Sequence, residues 1–469
     1  MQLPPPLPAK PSRIAVIAAA CALFAGCATF SPDGGMNAVS AMTKERTGQA
    51  LPSVTQAHPV VLAELLAKPL TADDAVQIAL LNNKGLHASL AELGVAEADL
   101  VQAGRMRNPG FHFSRLRGGD DVEIERGILF DLPGLLTIPI RSNIEQRHFE
   151  QAKLQAASQA VRLAAETRKA YFNAIAAQQA AAYAEQISIA AQASAELAQR
   201  MAKVGNWNKL DQAREQVFHA EATAQIARAR HSATAAREQL TRLMGLWGEN
   251  TAYRLPERLP DLPPSPNDIA DLEAQAMKQR LDVQMARRDV EATASALGLT
   301  KATGFINVLD TGYINKSETG RPRSNGYEIS LELPIFDWGG ARVAKAESLY
   351  MQAVHRTADI AIRARSEVRE AYSAYRTSYD LAKHYRDEIV PLRKKISDEV
   401  LLRYNGMLIG VFELLADARE QIGNVNAAIE AQRDYWLAET DLQMAINGSS
   451  TTIASLRVKP ASTEARQEH

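Results

Sequence analysis

One unit, consisting of a helical segment, a β-hairpin and a pair of long helices, is written twice in this sequence, and no other feature narrows the possible folds as much. In the first long helical stretch Glu166, Arg168, Ala170 and Tyr171 recur as Glu367, Arg369, Ala371 and Tyr372, an offset of 372 − 171 = 201 residues. Past a break, Ala213-Arg214-Glu215-Gln216-Val217 recurs as Ala418-Arg419-Glu420-Gln421-Ile422, an offset of 418 − 213 = 205. The second copy has therefore gained a few residues around its break.

The first copy is expected to span residues 71–250 and the second 268–447, joined by the proline-rich stretch 251–267 and followed by a tail, 448–469. Thr71 with Asp73 and Asp74 reads as a helix N-cap with acids in the first turn. Asn108-Pro109-Gly110 stops the next helix, and residues 111–132 read as a hairpin turning at Gly118-Gly119-Asp120-Asp121. After Pro139 a helix is expected from about Arg141 to Lys203, roughly 95 Å at 1.5 Å per residue. Leu154, Val161, Ala165, Tyr171 or Phe172, and Ile175 mark its narrow apolar stripe. It breaks at residues 204–208, and a partner helix runs from Lys209 to Met244. In the second copy the hairpin covers 305–334, going out from Phe305 to Tyr313 and returning from Tyr327 to Leu333, with Tyr327, Ile329, Leu331 and Leu333 alternating against Glu328, Ser330 and Glu332, which is period two. The break there lies at 405–411. The fold class is thus mainly α with a β portion.

The N-terminus reads as an export signal, residues 1–26: Lys10 and Arg13 precede an apolar run from Ile14 to Ala25 that is too short to span a bilayer comfortably. Leu23-Phe24-Ala25-Gly26-Cys27 resembles a bacterial lipobox, with Phe24 where leucine is usual, which implies cleavage before Cys27 and a covalent lipid (palmitate among its acyl groups) on that residue. Residues 27–70, with Gly34, Gly35, Pro52 and Pro69, then form a lipidated tether. The chain's two cysteines are Cys21 and Cys27, so the mature part has no pair to oxidise. No later stretch reaches the ~18 apolar residues of a transmembrane helix, so any crossing must use strands.

Lys+Arg 53 against Asp+Glu 54 leaves a net charge of −1, which argues against nucleic acid as a partner. The sequence has no phosphate-cradling loop, no HExxH and no nucleophile elbow, and its nine histidines are scattered, so neither an enzyme nor a metal or cofactor site is expected. Each copy supplies two strands. Four cannot close around a lumen, so the chain must oligomerise if these strands span a membrane, to eight strands as a dimer or twelve as a trimer, and an open pore favours the trimer.

From about Thr71 to Asn447 the chain resembles the TolC-like outer membrane factor family, in its lipoprotein branch. The residues that carry the resemblance are Leu333-Pro334-Ile335-Phe336-Asp337-Trp338-Gly339-Gly340, Arg403-Tyr404-Asn405-Gly406 and Glu413-Leu414-Leu415, together with the duplicated layout. The resemblance implies a homotrimer with a 12-stranded outer-membrane β-barrel continued by a periplasmic α-helical barrel. It implies a passive exit duct of a tripartite efflux pump or type I secretion system, anchored in the outer membrane of a Gram-negative bacterium and in contact with its lipid. The implied partners are a periplasmic adaptor (membrane fusion) protein and an inner-membrane pump of RND or ABC type.

Matched by position, Val204, Gly205, Asn405, Gly406 and Met407 would be the adaptor-docking tip turns. Asp211 and Tyr404 would belong to a closed-gate hydrogen-bond network, and Glu413 to an acidic constriction ring. Ile409 stands where an arginine often completes the gate, and the second acid is displaced to Asp417. Asp211 and Glu413 also lie near helix starts, where acids are favoured by the helix dipole alone. The competing reading is a periplasm-spanning structural or adaptor coiled-coil lipoprotein without a pore, which would carry no barrel strands.

Overall fold

The computed structural model describes residues 29–52, 58–302, 309–331 and 336–448. The expected signal, Cys27, the tail beyond Gly448 and part of the second hairpin, including Leu333-Pro334-Ile335, lie outside the described residues. The chain is mostly helical with one small antiparallel sheet. The first copy and the segment before it comprise α1 (Met36–Thr47), α2 (His58–Leu66), α3 (Ala72–Asn82), α4 (Lys84–Ala103), β1 (Gly110–Gly118), β2 (Asp121–Asp131), α5 (Leu132–Lys203) and α6 (Lys209–Met244). The second comprises α7 (Leu272–Gln279), α8 (Leu281–Ala302), β3 (Leu309–Glu318), β4 (Ser324–Leu331), α9 (Gly340–His384), α10 (Val390–Asn405) and α11 (Val411–Asn447). Among the described residues no helix is long and apolar enough to cross a membrane.

The chain divides into two compact units. One, residues 1–36, 91–153 and 286–356, holds the sheet. Its strands lie in the order β1-β2-β3-β4, so the two hairpins join through β2 and β3. Register places Phe111, Ile128, Tyr313 and Tyr327 in one row across all four strands. That row is exposed, from 43% for Ile128 to 85% for Tyr327. Phe113, Phe130 and Ile329 extend the same apolar face, and they too are exposed. The opposite face carries Glu123, Glu125, Glu318 and Glu328, with Lys316 paired to Glu123. A free sheet in water has no reason to turn its aromatic face outward.

The strands hand over to helices through aspartates. Asp131 accepts the Gly134 N–H at 2.7 Å, and Asp337 accepts the Gly339 N–H at 2.8 Å. In the first copy this starts α5 at Leu132, nine residues before the expected Arg141, and Pro139 sits inside the helix. Proline removes one N–H, and Thr137 and Arg141 satisfy the nearby Gly134 carbonyl with side-chain donors, at 3.2 and 3.0 Å. In the second hairpin both strands run further toward the turn than Tyr313 and Tyr327, the innermost residues expected to be strand, reaching Glu318 and Ser324.

The other unit, residues 37–90, 154–285 and 357–469, holds the apolar core. Thr71 and Asp74 form a reciprocal capping box that starts α3. Leu154, Val161, Tyr171, Phe172 and Ile175 are all buried, as the stripe predicts, whereas Ala164 rather than Ala165 is its buried alanine. The Tyr171 hydroxyl donates to the Leu70 carbonyl at 2.9 Å, and burial pushes its phenol up to about 12. The segment read as a tether is packed: Val39, Leu51 and Leu70 are buried, and Leu62, Leu65 and Leu66 lie against the core. The proline-rich linker is a strap. Tyr379 Oη donates to the Pro263 and Pro264 carbonyls, Trp436 Nε1 and Gln432 Nε2 both donate to the Pro260 carbonyl, and Leu262 is buried among Tyr375, Tyr379 and Tyr435.

The duplication is repeated in the contacts. Arg168 pairs with Asp73 in the first copy, and its counterpart Arg369 pairs with Glu273 in the second. The bend between α7 and α8 is more heavily built than its counterpart: Arg280, 1% exposed, is clamped by Asp282 and Glu367 and donates to the Ala445 carbonyl. Asn83 serves the first copy, donating to the Leu243 carbonyl at 2.9 Å.

Gly245 ends α6 with φ 66°, and a Cβ there would lie 2.8 Å from the Asn82 carbonyl oxygen. Gly245→Ala is expected to destabilise the chain by about 1–3 kcal/mol, from left-handed strain and collision with α3. Gly298, within α8 and facing open space, serves as the control: Gly298→Ala should be neutral or raise stability by about 0.5–1 kcal/mol. Thermal unfolding of both variants in detergent measures the contrast, and a Gly245→Ala protein as stable as the parent would contradict the packing described.

Candidate functional site

Two long-helix pairs end in short turns, both in the unit that holds the core. At the first turn Asn206 N–H donates to Met201 O and Gly205 N–H to Ala202 O, while Gly205 takes φ 80°. This 6→1 and 5→2 pattern closes the end of α5 around a left-handed residue. The second turn has the same pattern, with Leu408 N–H to Arg403 O and Met407 N–H to Tyr404 O. Its left-handed residue is Met407, φ 58°, and not the neighbouring Gly406. A side chain in that region is strained, and Met407 is 93% exposed. Val204, Leu210 and Leu408 are exposed as well, so both turns present apolar groups to solvent.

The one-residue difference in register has a visible cause. Between α9 and α10, residues Tyr385–Ile389 form a π-helical turn in which the Val390 N–H reaches the Tyr385 carbonyl. Pro391 lacks the N–H that an α-helix needs at that point, and the wide turn absorbs one extra residue. From there the copies run at an offset of 411 − 209 = 202, and α6 and α11 are 36 and 37 residues long. The repeated Ala-Arg-Glu motif, matched at 205 in the sequence, is displaced along α11 by about one turn relative to the helix start.

Each candidate residue now has a position. Asp211 is held in the α6 cap: its N–H donates to Asn208 Oδ1 at 2.9 Å, its carboxylate accepts Asn208 Nδ2 at 2.6 Å, and Arg214 lies 3.4 Å away. Its counterpart helix α11 has Gly410 at the N-cap position and no side-chain cap. Glu413, in the first turn of α11, is exposed and makes no hydrogen bond or ion pair among the described residues. Asp417 accepts Ser397 Oγ at 2.5 Å. Tyr404 is half-buried at the end of α10, Asn405 is the last residue of α10, and Gly406 caps it.

One of the residues that join the two copies is Glu215. Its side chain is 2% exposed, accepts Ser194 Oγ at 2.6 Å from α5, and is paired with Arg419 of α11 at 2.8 Å. The Arg419 guanidinium also lies over the Phe218 ring, 4.3 Å from its centroid. Glu215 and Asp417 occupy equivalent places, each an acid taking a serine hydroxyl from the preceding helix. The sequence marked Glu215 and Arg419 only as part of a repeat. A signal was present, since an acid recurring in a polar helix beside an arginine can be read as a latch.

No protein-family model matches the chain. The cobalt-zinc-cadmium resistance protein CzcC of Cupriavidus metallidurans is 24% identical over 276 residues, 58% of this chain and 64% of that protein, so the chain spans under two thirds of the length of the curated relative it matches. Among solved structures, a membrane protein from Pseudomonas aeruginosa superposes with a TM-score of 0.70 at 21% identity, over 81% of this chain and 90% of the other. The CmeC outer membrane channel of Campylobacter jejuni gives a TM-score of 0.70 at 16% identity, over 81% and 86%. The chain has the fold of outer-membrane channels.

The latch and the strained turn each predict a measurable effect. Arg419→Ala leaves the Glu215 carboxylate without its cation and should raise hydrogen exchange across Lys209–Ala222, by an opening free energy lowered by about 1–3 kcal/mol. Unchanged exchange would show that the pair holds nothing. Met407→Gly removes left-handed strain and should leave stability equal or higher by up to about 1 kcal/mol. A fall in melting temperature for Met407→Gly would refute strain at that turn.

Proposed function

We propose that this chain, with its outer-membrane channel fold, is the exit duct of a tripartite efflux pump. The observation that carries the reading is the sheet, whose exposed row Phe111, Ile128, Tyr313 and Tyr327 lies between two strand edges, β1 and β4, that pair with nothing among the described residues. In lipid both features are accommodated together. Acyl chains cover the aromatic face, and each open edge pairs with a neighbouring copy. Three copies of four strands give a closed barrel of 12 with a wet lumen, lined by the carboxylate-bearing face.

The paired long helices form a periplasmic tube that ends in the two turns. Val204 and Gly205, with Asn405, Gly406 and Met407, dock a periplasmic adaptor, and their exposed apolar side chains supply the contact. The adaptor connects the duct to an inner-membrane pump of RND or ABC type. Asp211, Tyr404, Glu413 and Asp417 make up the gate, in which three symmetry-related copies of Glu413 around a narrow axis repel one another and attract cations. A lipid on Cys27 anchors the chain in the outer membrane. Use of the same duct for type I secretion would need only a different pump, and the name of the metal-resistance relative makes a metal-ion efflux pump the first partner to test.

Two measurements test this reading. Because the chain has no cysteine beyond Cys21 and Cys27, a cysteine pair placed one in β1 and one in β4 should yield covalent trimers on oxidation. Channel conductance should appear in planar bilayers, and Asp211→Ala combined with Glu413→Ala should raise it. Protein that neither cross-links through β1 and β4 nor conducts would sink the channel in favour of a poreless coiled-coil lipoprotein. An unchanged conductance in the double variant would remove those two acids from the gate.

A further inference from the structure

Charge is sorted between the two faces of the sheet in a way the apolar row does not require. On the outward face the rows from the upper edge of the aromatic band toward the hairpin turns hold Arg126 opposite Phe113, then Arg115 opposite Ile124, then Arg117 opposite Val122. All three arginines are exposed, and none forms an ion pair with a described residue. No carboxylate shares their face in the paired registers of β1, β2 and β3. At the same levels the inward face carries Glu123, Glu125 and Glu318, with Lys316 held by Glu123. Successive rows on one face lie about 7 Å apart, so the arginines span a belt roughly 14 Å tall that begins at the Phe113 row, the upper edge of the aromatic band.

This inference rests on the channel reading. If the strands cross an outer membrane, β2 runs straight into α5 on the periplasmic side and the hairpin turns at Gly119 and Gly320 face outward. The arginine belt then falls at the outer boundary of the hydrocarbon region. Cations there would be costly within acyl chains, but they are favoured where headgroup phosphates lie, because a guanidinium binds phosphate through paired hydrogen bonds. The absence of carboxylates on that face is the telling feature. A solvated surface mixes both signs, whereas a surface selected against an anionic neighbour keeps one.

We propose that Arg115, Arg117 and Arg126 form a docking surface for the phosphorylated glycolipid of the outer leaflet, holding its sugar phosphates around the rim of the barrel. The partner is a lipid of the lipid A type, recognised by its phosphate groups and seated with its acyl chains against Phe111, Phe113 and Tyr327.

The test uses the full-length protein reconstituted into nanodiscs that contain lipid A, fully dephosphorylated lipid A or phosphatidylglycerol, with bound lipid measured by native mass spectrometry. Wild type should retain lipid A, and Arg115→Gln/Arg117→Gln/Arg126→Gln together should lower its affinity on the order of 100-fold, taking about fivefold per arginine. Dephosphorylated lipid A should bind both proteins equally weakly. Equal retention of lipid A by wild type and the triple variant would overturn the proposal, and so would equal retention of phosphatidylglycerol and lipid A by the wild type. Conductance is recorded in parallel: a triple variant that still conducts but loses lipid A supports the docking surface. Wild type that does not conduct at all defeats the channel reading, and the inference falls with it.

Discussion

Unpaired backbone at the edges of β1 and β4 is the constraint on which the rest of the design depends. A strand edge exposes a row of donors and acceptors that water can satisfy and hydrocarbon cannot. The face between these edges is aromatic and exposed among the described residues, which suits the proposed setting in lipid, where the edges would pair with other strands. On the proposed channel reading, oligomerisation meets that requirement. The long polar helices with narrow apolar stripes suit the same outcome, since a helix buried on one side only is suited to a wall rather than a solid core.

The duplicated unit is held by duplicated contacts wherever the two copies need the same thing. Arg168 with Asp73 and Arg369 with Glu273 tie a long helix to a short one in each copy. Asp131 and Asp337 start the helices that follow the strands. The copies diverge at the turns: Asn208 and Asp211 seal α6, whereas α11 starts uncapped behind a strained Met407. The second turn is therefore the looser of the two, and Glu215, paired with Arg419, ties the sealed copy to the unsealed one.

Much of this was legible in the residues, for identifiable reasons. The helix from Lys209 to Met244 could be read to its ends because Asn208 and Gly245 are strong stop signals. The hairpin at Gly119 and Asp120 could be read because period-two alternation flanks a turn sequence. The start of α5 could not, because Pro139 looks like a barrier, and nothing in the sequence shows that the Thr137 and Arg141 side chains donate to the nearby Gly134 carbonyl. Nothing in the sequence singles out Met407 within the break at 405–411, because glycine is the default left-handed residue; the π turn before Pro391 moves that burden from Gly406 to Met407. The strap at 251–267 looked like a linker because prolines give no periodicity, and only the Tyr379, Gln432 and Trp436 side chains that hold its carbonyls reveal its packing.

By itself the sequence determined the periodic features: the duplication, the helices, the alternating strands and the absence of cysteine from the body of the chain. Those depend on spacing within a few residues, which a linear chain displays directly. The tertiary structure alone decided that β2 pairs with β3, so that two hairpins become one sheet, and that Glu215 and Arg419, 204 positions apart, meet. It also placed arginines and carboxylates on opposite faces at the same level of the sheet. Long-range pairing of this kind depends on register summed over whole elements, and one displaced residue, as at the π turn, is enough to change which side chains face one another.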